Sequence, residues 1–361
     1  MIINVHTFEL SKVLTEFDYR LIKKWFYESG HIERGNVYPN NGSLNCKQFS
    51  PKGINLFLNK FADKNGFTHH RIRIVVNANN LINEKSRVEL MPLTRENIEV
   101  VEKNFNEIFE KAPCGFREFD DFFLTRVDLT VDMLLEGECR KNLIELGNRS
   151  YIPPSWHREL FYDKVAKRKK VSDRGLRIES NSKAVILYDK GKQLENAGIK
   201  DLDSKDGVGI LRAELALFRE FIVSKQNKFE MTDDDQRTSP VIFLFHLEQE
   251  GASYILNSFQ KVFRSGEYRK LDDALDLLDS CGHRENTKSG MRDFLYACAK
   301  RRSVEVAANE MKDCGMNQRE IRGLLMLFDD LGVNPLTIPR RWSVASYPSI
   351  ATYIENALKE M

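Results

Sequence analysis

Two short alternating segments hold the residue types best suited to chemistry. In Arg126-Val-Asp-Leu-Thr-Val-Asp132, a period of two sets Arg126, Asp128, Thr130 and Asp132 on one side of a strand and Val127, Leu129 and Val131 on the other. Ile210-Leu-Arg-Ala-Glu-Leu215 repeats the device, with Arg212 and Glu214 sharing a side. If the two strands are neighbours, about 4.8 Å apart, Asp128 and Glu214 converge on one hard cation, because carboxylate oxygens suit Mg2+ or Mn2+. Asp132 is the weaker ligand candidate, since four residues of strand put its Cα roughly 13 Å from that of Asp128. A plainer reading stands beside this one: each arginine pairs with an acid on a solvated sheet face.

A third segment, Ala184-Val-Ile-Leu-Tyr-Asp-Lys-Gly-Lys-Gln193, ends an apolar strand on Tyr188 and follows it with Asp189, Lys190 and Lys192. Lys190 shares a side with Tyr188 if the strand continues, and Lys192 does if a helix begins. Either supplies a cation, which a phenol of pKa about 10 needs before it can attack a phosphodiester at neutral pH. The alternative is a core tyrosine with its hydroxyl at the rim. Phe161-Tyr-Asp-Lys164 repeats the Tyr-Asp-Lys order without the apolar strand. Between the two lies Lys164-Val-Ala-Lys-Arg-Lys-Lys-Val-Ser-Asp-Arg174, with six basic residues in eleven. Lys167, Arg168, Lys169 and Lys170 form its centre, suited to phosphate contacts that weaken with salt or simply to a solvated charge run.

These segments need a scaffold of strands. Arg71–Val76, Leu124–Asp132, Lys183–Tyr188 and Ile210–Leu217 read as strands, and Thr94–Phe109 and Asp18–Tyr27 as helices, so residues 1–223 form an α+β domain. Residues 224–240, polar and closing on Ser-Pro, read as a linker. Residues 241–361 read as all-helical, with helices near Val241–Phe263, Leu271–Leu278, Ser289–Lys300, Ser303–Lys312 and Gln318–Leu331. In the last pair, the turn at Cys314-Gly-Met316 and an Asn317 cap suggest a helix-turn-helix that presents Arg319 and Arg322, or a plain helical hairpin.

Length and composition agree with that division. A chain of 361 residues with 42% apolar and 30% charged residues is globular and long enough for two domains. With 55 Lys and Arg against 53 Asp and Glu, the formal charge is +2, so a nucleic-acid surface must come from local segregation of charge. No apolar run reaches about 18 residues and the start lacks a signal-peptide pattern, which predicts a soluble intracellular protein without a membrane partner. The six cysteines lack metal or disulfide spacing and read as reduced and mostly buried. His69-His70 is poor ligand spacing unless a strand turns only one of them inward. No Gly-x-x-x-x-Gly-Lys-[Ser/Thr] loop occurs, so no nucleotide cofactor is expected.

The order of these segments resembles the gene II replication initiators of filamentous phages and, more loosely, replication initiators and relaxases of Gram-positive plasmids and conjugative elements. The matching stretches are Arg71–Ile82, with its Asn-containing turn, Thr125–Asp132, Val185–Leu194, Leu211–Leu215 and Asp313–Ile321. The resemblance implies an antiparallel-sheet nuclease domain, HUH-endonuclease-like, followed by a helical DNA-binding domain. It implies a rolling-circle initiator that nicks one origin strand, leaving a 5′-phosphotyrosine and a free 3′-OH, and later rejoins the strand. By that match Tyr188 is the nucleophile, Lys190 its phosphate or phenolate partner, and Asp128 and Glu214 ligands of Mg2+ or Mn2+. Arg126 and Arg212 join the basic segment in contacting DNA. A host helicase and polymerase are implied as further partners, in a bacterial cytoplasm. The His-hydrophobic-His motif of the wider class is missing, which leaves His69 or His70 as the remaining third-ligand candidates. The same chemistry serves conjugative relaxases and transposases, and a DNA-binding regulator with an inactive nuclease domain is the alternative from another class.

Overall fold

The computed structural model describes all residues except 1, 29–31, 35–41, 84–85, 87, 114, 164–167, 171, 173, 200–204, 229–238 and 361. In chain order, the strands are β1 (Asn4–Leu14), β2 (Ile32–Arg34), β3 (Gly42–Cys46), β4 (Ile54–Ala62), β5 (Thr68–Asn77), β6 (Met91–Pro92) and β7 (Phe123–Leu134). There follow β8 (His157–Arg158), β9 (Phe161–Asp163), β10 (Arg168–Lys170), β11 (Gly175–Glu179), β12 (Lys183–Asp189) and β13 (Ile210–Phe218). Helices α1 (Glu16–Glu28), α2 (Ala78–Ile82), α3 (Arg95–Phe109), α4 (Gly137–Gly147) and α5 (Lys190–Asn196) lie among them. The chain is α+β, as its periodicity predicts. Contacts divide it into two compact units that interleave along the sequence: residues 1–130, 181–183 and 214–252, and residues 131–180, 184–213 and 253–361. Strands β7 and β13 contribute to both. The expected linker at 224–240 falls inside the first unit. Its first residues are helical, within Arg219–Lys228, and most of the remainder lies outside the described residues.

In the first unit the sheet order is β2-β3-β4-β5-β1-β7-β13, with β6 beside β1. β1 is antiparallel to both β5 and β7, and β4 to both β3 and β5. Alternation does the sorting. In β5, His70, Ile72, Ile74 and Val76 are buried while Arg71, Arg73, Val75 and Asn77 are half-buried on the other face. Helix α3 starts where the Thr94 hydroxyl accepts from the Asn97 amide. It buries Ile98, Val101, Phe105 and Phe109, spaced three to four residues apart. Phe105 stacks on Phe109 at 4.4 Å and meets the edge of Phe119 at 5.2 Å, and Phe119 in turn meets Phe8 of β1 at 5.7 Å. Each such buried phenyl contributes about 1.5–3 kcal/mol. This aromatic layer packs on one face of the sheet, and the other carries Arg71, Arg73 and Asn77 beside Val75 and Phe57.

The second unit holds the order β7-β13-β12-β11-β8, a separate β9-β10 ribbon, and most of the C-terminal helices. The expected helices appear at Pro240–Phe263, Leu271–Ser280, Glu285–Arg301, Val304–Asp313 and Gln318–Asp330, and Ile350–Glu360 is added to them. The Asn317 side chain accepts from the Arg319 and Glu320 amides at 2.9 and 3.0 Å, and the Glu320 carboxylate in turn accepts from the Asn317 amide at 2.7 Å. The expectation of an all-helical C-terminal part needs correction, since Tyr268–Arg269 pairs antiparallel with Ser346–Tyr347. Two residues per strand carry too short a pattern to read from sequence. The cysteine expectation is also corrected in part. Among the described residues Cys46, Cys139, Cys281, Cys298 and Cys314 form no disulfide, but only Cys46 and Cys298 are buried.

Candidate functional site

The polar face of the first unit is organised by an irregularity between β1 and β7. Val5 lies opposite Leu129 and Phe8 opposite Val127, so His6 and Thr7 together oppose the single residue Asp128. In a regular strand Val5 and Phe8 would face opposite sides; here both are fully buried in the core. The extra residue therefore turns His6 and Thr7 together toward the polar face. Thr7 Oγ1 donates to Asp128 Oδ2, and His6 Nδ1 lies 3.1 Å from Glu214 Oε1. Two adjacent residues of β1 thus hold Asp128 of β7 and Glu214 of β13.

Both acids are buried, Asp128 at 3% exposure and Glu214 at 6%. Burial pushes the Asp128 carboxyl above the usual carboxylate range, the Arg126 guanidinium opposes that rise, and the Glu214 charge adds to it. Arg126 Nε donates to Asp128 Oδ1 at 2.7 Å, the contact expected of side chains two apart on one strand face. The basic side chains continue outward. Arg73 donates to both Glu9 carboxylate oxygens at 3.3 and 3.4 Å, and Arg71 donates to the Ser11 hydroxyl at 3.0 Å. Burial lowers the pKa of Arg71, and the charges of Arg219 and Arg73 add to that. The face therefore combines a buried acid pair with a fringe of guanidiniums.

The remaining strand acids and Tyr188 belong to the second unit. Asp132 Oδ1 and Oδ2 accept from Arg212 Nε and Nη2, each at 2.7 Å. Arg212 is fully buried, so the arginine expected to contact DNA is placed in the interior as the partner of Asp132. Tyr188 is half-buried near the end of β12, opposite Gly175 of β11. A Cβ at Gly175 would come within 2.7 Å of both Tyr188 Cβ and the Leu187 carbonyl oxygen, so only glycine lets β11 lie this close. Asp189 ends the strand by accepting from the Lys192 amide at 3.0 Å, while Arg140 Nε donates to its other oxygen at 2.9 Å. A helix, not more strand, therefore follows Tyr188. Lys190 begins it, is 3% exposed, and donates from Nζ to Gln193 Oε1 at 3.0 Å.

The other candidates are placed separately. His70 is turned inward, 4.3 Å from the Tyr19 ring and 3.1 Å from Glu16, while His69 faces out toward Asp63. The strand does separate the pair, but it delivers His70 to α1, and the histidine beside the acids is His6. Lys167 lies outside the described residues. Arg168, Lys169 and Lys170 form β10, paired with β9, which carries Tyr162. Arg319 and Arg322 are exposed on Gln318–Asp330. Sequence reasoning missed His6, Thr7 and Glu9. The available signal was the pair of apolar residues Val5 and Phe8, three apart in an otherwise alternating run.

Among the described residues, no three His, Cys, Asp or Glu side chains form a cluster that could hold a metal ion. Asp128 and Glu214 nevertheless fit a hard cation as a two-carboxylate donor set. Their mutual repulsion and burial favour a positive charge between them, and Mg2+ commonly takes only one or two carboxylates, with water and phosphate oxygens filling its other positions. Among the described residues, no helix is long and apolar enough to cross a membrane. No protein-family model matches the chain, and no curated protein matches it in sequence. Among solved structures it is similar to a rolling circle replication initiator protein from Geobacillus stearothermophilus, with 8% identity, a TM-score of 0.27, and coverage of 63% of this chain and 79% of that one. At that identity no residue role transfers from one chain to the other.

Proposed function

We propose that the chain is a rolling-circle DNA replication initiator, a strand transferase that nicks one strand of an origin with Tyr188 and later rejoins it. The observation that carries this reading is the buried acid pair, Asp128 and Glu214, held by the His6–Thr7 bulge within a fringe of arginines. A divalent cation on Asp128 and Glu214, Mg2+ or Mn2+, would neutralise charge on the scissile phosphate. Thr7 and Arg126 fix the Asp128 carboxylate, and His6 fixes Glu214. Arg71 and Arg73 supply charge for the flanking phosphates. Tyr188 Oη loses its proton to solvent and forms a bond to phosphorus, the bond from phosphorus to the 3′ oxygen breaks, and that oxygen takes a proton from solvent and leaves as the 3′-OH. Rejoining reverses both bonds, so the phosphodiester energy is kept and no nucleotide is consumed. Lys190 contributes cationic charge one helical residue past the strand end.

Incubation with a supercoiled plasmid carrying the cognate origin, in Mg2+ or Mn2+, tests the reading. Nicked circles and a covalent protein–DNA adduct are expected, both lost in Tyr188→Phe and both kept in Tyr162→Phe. The reverse pattern would move the nucleophile to Tyr162. A gel shift with an intact plasmid in every condition would replace the enzyme with a DNA-binding regulator.

A further inference from the structure

The second unit contains a cleft that takes no part in the chemistry above. It encloses about 350 Å³, and its walls include Arg149, Arg302, Arg340 and Arg341 together with Leu271 and Ile338. Arg149 is tied to Glu145 at 2.6 Å, and Arg340 reaches both oxygens of Asp272 at 3.0 Å. Among the described residues, Arg302 and Arg341 meet no carboxylate within ion-pair distance. Four guanidiniums against two carboxylates leave the cleft with two positive charges in excess.

The arginines stand on a built platform. Ile338 is buried and its amide donates to the Arg269 carbonyl at 3.0 Å, while the Trp342 amide closes a turn onto Pro339 at 3.0 Å. The backbone between these anchors presents Arg340 and Arg341. On another wall, the Val304 amide donates to the Arg149 carbonyl at 2.9 Å. Arg302 ends the helix Glu285–Arg301 with φ 53° and ψ 33°, the left-handed conformation in which glycine is strongly favoured. A long cationic side chain occupies a backbone position that selects against side chains, and it faces this cleft.

We propose that this cleft binds a phosphoryl group. Guanidinium forks match the tetrahedral oxyanion in geometry and hold its charge through several hydrogen bonds at once. The phosphoryl group can belong to a nucleic-acid backbone or to a small phosphate ester, and Leu271 and Ile338 would receive the apolar part of either. The site does not depend on the nicking reaction, because no residue of it belongs to the proposed active site.

Thermal melts with sodium pyrophosphate test the site, and fluorescence anisotropy with a labelled 20-base-pair duplex identifies the source of the phosphate. Pyrophosphate should raise the Tm of the wild-type protein above that in sodium chloride of equal ionic strength. The rise should vanish in the double variant Arg302→Gly/Arg341→Ala. Arg302→Gly suits the left-handed backbone, so loss of response without a lower Tm separates binding from folding. Lys103→Ala, on α3, controls for charge and should respond as the wild type does. If the ligand is a nucleic-acid backbone, duplex affinity falls about tenfold or more in the double variant and the slope of log affinity against log salt drops by about one to two. If it is a small ester, duplex affinity is unchanged while the pyrophosphate response is lost. An equal pyrophosphate response in wild type and double variant, or an equal response to glutarate, overturns the proposal.

Discussion

Strands β7 and β13 each carry an arginine two residues from an acid, yet the clusters they build in the two units behave differently. In the second unit, fully buried Arg212 closes on Asp132 with two bonds of 2.7 Å, so the pair is a matched ion pair. In the first unit, Arg126 gives Asp128 one short bond while Glu214 pushes against it, and burial raises the Asp128 pKa despite the arginine. Two arginine-x-acid strands thus give one closed ion pair between them and one crowded acid pair. What separates them is the partner. Arg212 takes an acid from a different strand, Asp132, while Glu214 lies beside His6 and close enough to Asp128 to repel it.

The contrast can be broken by substitution, and the largest effect belongs to the closed pair. Asp132→Ala removes the bidentate partner of a fully buried guanidinium and should cost about 3–5 kcal/mol in urea unfolding. A loss under about 1 kcal/mol would mean that Arg212 does not need its acid and that the two clusters are alike. The acid pair should instead respond to cations. His6→Ala removes the imidazole that lies 3.1 Å from Glu214 and should raise the Mn2+ concentration needed for half of the cation-induced Tm rise by roughly ten- to a hundredfold. Unchanged midpoints would reduce His6 to a neighbour without influence.

The smallest effect is a slope with pH. Because burial raises the folded pKa of Asp128, the stability linked to its protonated form is present below the ordinary carboxyl range and is lost as pH rises through the folded value. Asp128→Asn stays neutral throughout, so melts at pH 4 and pH 7 should show the variant gaining on the wild type as pH rises. A gain in the other direction would show that Arg126 outweighs burial after all.

Much of this was legible in local pattern. The expected strands 124–132, 183–188 and 210–217 fall within the observed β7, β12 and β13, because period-two alternation and apolar runs record burial directly. The Asn317 cap and the helix after it were readable for the same local reason. The partner of Arg212 was not readable. Glu214 shares its strand face at the right spacing, and nothing in either segment says that Asp132 lies closer. β1 is not legible as a strand because the His6–Thr7 bulge, formed against β7, interrupts its alternation. Tyr188 illustrates both sides. Its place at a strand end was apparent from the apolar run, but the need for Gly175 opposite it appears only when β11 is laid alongside.

Residue order by itself determined which side chains share a strand face, where helices are capped, and which acids and phenol are available for chemistry. These follow from backbone periodicity and from hydrogen bonds a few residues long. Tertiary structure alone decided that Asp128 and Glu214 lie close enough to repel, that Asp132 pairs with Arg212, and that His6 rather than His69 or His70 stands beside Glu214. Pairing register and bulges fix those distances, and they arise from contacts between segments as much as 208 positions apart, as His6 and Glu214 are (214 − 6).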